Sequence, residues 1–480
     1  MGYKGNRKRD ELTFSNLIPT IKSIVHDQIY INYLPSYGNT IFYSFGFLLL
    51  TCFALLVVTG LTMVFFGPLW WANNPVGVYI RSIHMWAAQA FVLFLFLHVF
   101  VVFSTSAFKK QKIPWVIGSI ILFIAIIQVE FGYGLRGDFG TLYRVIAGQD
   151  FWNGNFLGFF VNVLNYGQLY GIHTVLVPAV LATLIAIHFL LVRKHGISKP
   201  YRKDIEYKIV EADHRMLFIR AGVAVIAILF IALVIPSPFV PPPTIRGIAQ
   251  NNPYMIAQTL VQEFNHTSGT ATYFDSIDPY TYDTRTVYVS GPYNDYLTIR
   301  GGTNMTNEFY LANATTQLRD INLAYDYFAR NGSINISPAS GDPLIPIVSA
   351  VVVMAQSGTY GPLLKEDLPG NNPTYYIRFL YDTGYINNEA TALGLQLNQY
   401  GMVKDDAGNG IAPLNTWWML PYNVMDNTIL ANDPNQDRDG GIILGILWLV
   451  FVTLPWLPYV NKIPDKLRLY RLFWKVKTKK

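Results

Sequence analysis

The stretch Arg81–Phe100, RSIHMWAAQAFVLFLFLHVF, places His84 and His98 in an otherwise oily run. Even a neutral imidazole keeps one hydrogen-bond donor and one acceptor to satisfy, so two of them in hydrocarbon need a reason. A second run, GIHTVLVPAVLATLIAIHFLLVRKHG (Gly171–Gly196), repeats the pattern with His173 and His188. The separations, 14 residues in the first run and 15 in the second, leave each pair about 40–60° apart around a helix and about 21–22 Å apart along it. Each run therefore carries two histidines on one face, at two depths.

The surrounding composition is that of a membrane protein. The chain has 480 residues, of which 51% are hydrophobic and only 14% charged, against about 25% charged in soluble domains. Six apolar spans are predicted, at roughly 41–66, 83–107, 114–134, 173–192, 216–236 and 441–460. The basic, polar N-terminus does not read as a cleavable signal peptide. Of the 36 Lys and Arg, 23 fall in 1–40, 108–113, 193–215 and 461–480, which makes these the cytoplasmic segments. Residues 237–440 are then extracytoplasmic, with an acidic excess and all five N-x-S/T acceptors. The net charge of +6 is thus a topology signal, and nothing points to nucleic acid. The single cysteine, Cys52, excludes disulfides, iron–sulfur clusters and covalent CxxCH haem within this chain.

With that topology, both histidine helices run from outside to inside. His84 and His173 share a depth near the outer leaflet, and His98 and His188 share one near the inner leaflet. Two facing imidazoles at each of two levels suit bis-histidine ligation of two stacked haems. The competing reading is four ordinary interhelical hydrogen bonds. Glycines repeat the spacing: Gly46 and Gly60 are 14 apart, as are Gly118 and Gly132. A glycine lets a bulky group approach the backbone, and helix–helix packing alone uses a spacing of four.

These segments resemble cytochrome b of bc1 and b6f complexes, most closely the b6 type. The resemblance rests on NTIFYSFGFLLLTCFALLVVTG, HVFVVFSTSAFKKQKIPWVIG and the second histidine run, and on GIILGILWLVFVTLPWLPYVNKIPDKLRLY near the end. It implies haem b held by His84 and His173 near the outer face and by His98 and His188 near the inner face. It implies that Arg81 serves a haem propionate, although snorkelling to the interface is another use for it. Arg193 and Lys194 match the family's basic pair near the inner haem and quinone, and also suit positive-inside anchoring. The expected fold is mainly α: a transmembrane bundle of a four-helix haem core (41–215) and two further spans (216–236, 441–460). The flanks are a cytoplasmic segment (1–40), an extracytoplasmic, β- and loop-rich insertion (237–440) and a basic tail (461–480).

Several departures matter. Ser44 stands where the b6 type tethers an extra haem by cysteine, so two haems and no covalent third are expected. The family's PEWY motif has NTWWMLP (Asn415–Pro421) as its counterpart, with Thr416 in the glutamate position. Threonine is no base at neutral pH. Glu130, two residues before Gly132, is the candidate replacement as quinol base, with desolvation raising its pKa; pairing with Arg136 is the alternative. The chain has two spans fewer than a full cytochrome b, so another subunit is expected to supply helices. The insertion opens with the stiff spacer PSPFVPPP (236–243) and holds one histidine, His266.

The function expected is that of the dihaem subunit of a quinol-oxidising bc-type complex in a prokaryotic plasma membrane. Its partners are lipid, quinone, a Rieske-type iron–sulfur protein and an outer cytochrome or copper protein. The rivals are a dihaem conduit for an extracytoplasmic redox enzyme and a non-redox surface-binding protein.

Overall fold

The computed structural model describes residues 32–200, 205–274, 278–337, 341–365, 374–392 and 416–475. Six helices among them are long and apolar enough to cross a membrane. In chain order the bundle begins with α1 (Phe45–Phe66), α2 (Pro75–Ser104), α3 (Lys112–Gly134), the shorter α4 (Phe139–Gly154), α5 (Val177–His195) and α6 (His214–Val234). Helix α2 starts where Asn74 caps the Val76 and Gly77 amides and Pro75 presets the first turn.

Helices α1, α2 and α6 pack as one group, and α3 packs on α5. Helices α2 and α5, which carry the histidines, touch each other only sparsely and face one another across the middle of the bundle. Cys52, Ala87, Phe91, Leu95, Ala125 and Leu181 fill that middle between the two histidine tiers.

The insertion corrects one expectation. Among its described residues there is no strand; it is built from helices, including α7 (Pro253–Phe264), α8 (Ala314–Ala329), α9 (Leu344–Ser357) and α10 (Tyr375–Asp382). Its Asn and Thr residues act as helix caps: Asn252 caps α7, Asn313 caps α8, and Thr244 caps a short helix before them. The apolar spacing agrees, with Ile256, Leu260 and Phe264 four apart and buried. Helix α9 is rich in β-branched residues yet buried along most of its length, so packing overrides propensity. The span α11 (Gln436–Thr453) returns to the bundle and packs on α3 and α4. Among the described residues the sheet is a short antiparallel pair, Tyr33–Pro35 with Ile209–Glu211, at the end carrying His98 and His188.

The insertion is seated on α4. Phe139 belongs to its core, and Leu142, Tyr143 and Ile146 pack against it. Asn153 reaches across to the Tyr273 hydroxyl and to Asp278, which is ion-paired with Arg378. Deeper in, Glu263 and Asp382 face each other, and among the described residues no other group donates to Glu263 Oε1 or Asp382 Oδ2. Burial raises both carboxyl groups above their ordinary range, and each acts on the other; nearby Arg378 pulls Asp382 back only in part. Burial also pushes Asp150, on α4, up to about 7. Raised carboxyls stabilise a fold fully below their unfolded pKa of about 4 and lose that contribution as pH rises through the folded value. The insertion's unfolding temperature in the full-length protein is therefore expected to fall between pH 5 and pH 8, and Asp382→Asn to flatten that slope. A flat profile in the unmodified protein removes the account of buried carboxyls with raised pKa values.

Candidate functional site

The four histidines meet in two tiers. At the upper one, His84 of α2 and His173 have ring centroids 6.4 Å apart, with planes inclined by 70°. Two metal–imidazole bonds of about 2.0–2.1 Å, extended by about 1.1 Å to each ring centre, span about 6.3 Å in line. The 6.4 Å separation would leave room for one metal held by the two imidazoles. At the lower tier, His98 and His188 border one cavity of about 480 Å³ together with Gly46 and Gly118.

The ring nitrogens are sorted by their surroundings. His173 Nδ1 donates to the Gln128 carbonyl at 3.0 Å, and the Gln128 side chain returns a bond to the His173 carbonyl at 2.7 Å. His84 Nδ1 lies 2.9 Å from Thr59 Oγ, whose own proton goes to the Leu55 carbonyl at 2.7 Å. Thr59 therefore accepts from His84. With Nδ1 occupied by its proton and that hydrogen bond, Nε2 is the ring nitrogen left to bind a metal.

Helix α5 is preceded by a π-helical turn, Ile172–Leu176, which contains His173. A π turn takes in one residue more than an α turn. It absorbs the fifteenth residue between His173 and His188, so both still face α3. Gly132 and Gly118, 14 apart on α3, sit against these two rings in the same order. On α1, Gly60 and Gly46 likewise sit against His84 and His98. The glycines thus clear the imidazole edges themselves, a closer role than clearance for the flat group.

Above the upper tier, Arg81 is buried between the Trp71 and Phe239 rings. Its Nη2 donates to the Ser237 carbonyl at 2.9 Å, while Nε and Nη1 have no partner among the described residues. Two nitrogens with unspent N–H donors in an apolar setting match a carboxylate. Among the described residues no three His, Cys, Asp or Glu side chains cluster as a metal site. A pair of histidines suits a metal that brings its own equatorial ligands, as a porphyrin does. The residues present fit haem at both tiers. Arg193 and Lys194 fall in the last turn of α5, and neither borders the lower cavity.

Glu130 stands near the C-terminal end of α3, in a network spacing alone does not reveal. Arg144 of α4 donates to Glu130 Oε2 at 2.6 Å and to Thr416 Oγ at 2.7 Å. The Trp418 indole donates to Glu130 Oε1 at 2.7 Å. The structure thus brings the carboxylate beside the residue in the motif's glutamate position; Asn415, the first of that motif, lies outside the described residues. Arg136 pairs with Asp138 at 2.7 Å instead of with Glu130. Trp417 donates to Gln89 of α2 at 2.9 Å, so the returning segment is tied to both halves of the bundle. Sequence reasoning missed Arg144, Gln89, Thr59 and Gln128; only Arg220, a charge inside a predicted span, carried a visible signal.

Comparison with known proteins agrees with this geometry. The family described as cytochrome b (N-terminal)/b6/petB matches residues 89–258. Cytochrome b6 of Synechocystis sp. is 34% identical over 202 residues, covering 37% of this chain and 89% of the relative. Cytochrome b6 of Chlamydomonas reinhardtii is 34% identical over 202 residues, covering 37% of this chain and 92% of the relative. A solved chain of a hyperthermophilic respiratory Complex III aligns at 16% identity with a TM-score of 0.40, covering 78% of this chain and 99% of its own length. With paired histidines on two apolar helices and relatives matched over nearly their whole length, the chain belongs to the cytochrome b6 family of multi-pass membrane electron-transfer proteins.

Proposed function

We propose that this chain is the dihaem subunit of a quinol-oxidising bc-type complex, carrying electrons across a prokaryotic plasma membrane between quinol and quinone sites. The observation that carries the reading is the upper tier: two imidazoles at metal-bridging separation, both Nδ1 groups occupied, beneath an arginine with unspent donors. His84 and His173 hold one haem b, and His98 and His188 the other. When bound, haem b supplies a one-electron carrier at each tier. The apolar residues between the tiers keep water out, and Thr59 and the Gln128 carbonyl hold the upper imidazoles in one tautomer.

At the outer face Glu130 is the base. Each of its oxygens accepts one hydrogen bond and has a second lone pair free, and its side chain is 24% exposed. A quinol hydroxyl transfers its proton to that free position, while Arg144 and Trp418 keep the carboxylate in place. The insertion faces outward over this site, as the acidic balance of its sequence indicates. The iron–sulfur protein and outer carrier that accept the second electron are separate chains, since Cys52 is the only thiol. One observation favours the rival in which the chain is a conduit without quinol chemistry: Thr416 is already bonded to Arg144.

A reduced-minus-oxidised spectrum and haem assay of the purified protein test the reading. Two b-type haems per chain, reducible by added quinol, are expected. Dithionite reduction without quinol reduction selects the conduit, and absence of haem rejects both. All of the haem is expected to leave in acidified acetone, because Ser44 offers no thioether. Its hydroxyl accepts from Arg220 at 2.6 Å.

A further inference from the structure

Arg220 sits in the second turn of α6, and every residue after it to Val234 is apolar. It borders the cavity that holds His98 and His188. Its Nη1 donates to Ser44 Oγ at 2.6 Å and its Nη2 to the Asn39 carbonyl at 3.0 Å. Both acceptors are neutral. Among the described residues no carboxylate pairs with it; Asp213, on the same cavity, is spent capping α6 through the Met216 amide. A guanidinium has five N–H donors, so those two bonds leave three unused. A cation this far into an apolar span is costly unless an anion meets it.

We propose that Arg220 binds a negatively charged oxygen of the group filling the lower cavity, with Ser44 as the positioning residue that aims the guanidinium. Two groups offer that chemistry: a propionate of the lower haem, or a quinone oxygen, which gains negative charge on reduction. The proposal rests on the two-haem reading above. Absence of haem from the unmodified protein defeats that reading, whereas the outcomes below concern Arg220 alone.

The test is an optical redox titration of the purified full-length protein, unmodified and as Arg220→Gln and Arg220→Lys. If a propionate is the partner, one of the two midpoints falls in Arg220→Gln. At that haem's original midpoint its reduced-to-oxidised ratio then drops roughly tenfold, the scale of one partly screened charge. Arg220→Lys recovers most of the shift. If a quinone oxygen is the partner, both midpoints stay, and reoxidation of the reduced protein by decylubiquinone slows at least tenfold in Arg220→Gln. Unchanged midpoints with unchanged reoxidation overturn the proposal. If Arg220→Gln loses a haem outright, the Arg220→Lys titration decides: a midpoint within a small shift of the original supports the charge role, and one displaced as a neutral residue would displace it rejects that role.

Discussion

Glu130→Gln is expected to lower quinol oxidation about 100-fold or more, the range for loss of a positioned general base, with both haems retained. The amide keeps the shape of the side chain, and its carbonyl oxygen still accepts from Trp418 or Arg144. It cannot take the quinol proton. The substitution also leaves Arg144 facing a neutral group, so the variant's haem content and unfolding temperature must be measured alongside activity. Thr416→Glu restores a carboxylate in the motif's glutamate position and is expected to rescue part of the loss, since Arg144 already bridges the two sites. Full quinol oxidation in Glu130→Gln removes Glu130 as the proposed base.

Gly132→Ala is expected to reduce haem from two per chain to one, whereas Gly46→Ala keeps both. Alanine suits a helix better than glycine by about 0.5–1 kcal/mol, so backbone preference does not oppose either change. The difference is space. A Cβ at Gly132 would lie 2.4 Å from His173 Cε1, and that ring is pinned by its bond to the Gln128 carbonyl. At Gly46 the nearest atom, His98 Cε1, is 3.6 Å away, an ordinary contact. Gly118 and Gly60, at 3.2 Å and 3.3 Å from their imidazoles, are intermediate and should weaken haem retention without abolishing it. A haem assay after gentle detergent extraction reads the series directly. Equal haem in Gly132→Ala and Gly46→Ala sinks the cradle account.

What could be read from the chain alone followed helical period. One histidine pair and both glycine pairs are 14 apart and the second histidine pair is 15 apart, and a spacing near 14 means the same thing in any α-helix. The extra residue of spacing before His188 is taken up by a π turn, which no residue type announces. Glu130 was visible as a charge at the end of a span, but its partners were not. Arg144 lies 14 residues on but across a reversal of the chain, and Trp418 lies beyond the insertion, so helical period reveals neither. The insertion was misread because tyrosine, threonine and asparagine content suggested strands, while the period of Ile256, Leu260 and Phe264 already spelled a helix. Periodicity outranked composition wherever the two disagreed.

Trp418 meets Glu130 across 288 residues of chain, and that distance imposes an order on biogenesis. Ribosomes deliver α1 through α6 first, and both histidine tiers are complete at that stage. The indole and threonine that surround the carboxylate emerge only after α6 and some two hundred further residues have been made. Under the proposed function, a half-made product therefore has its electron path but an open, unfinished entrance, so completion of the later portion doubles as control over when turnover can begin.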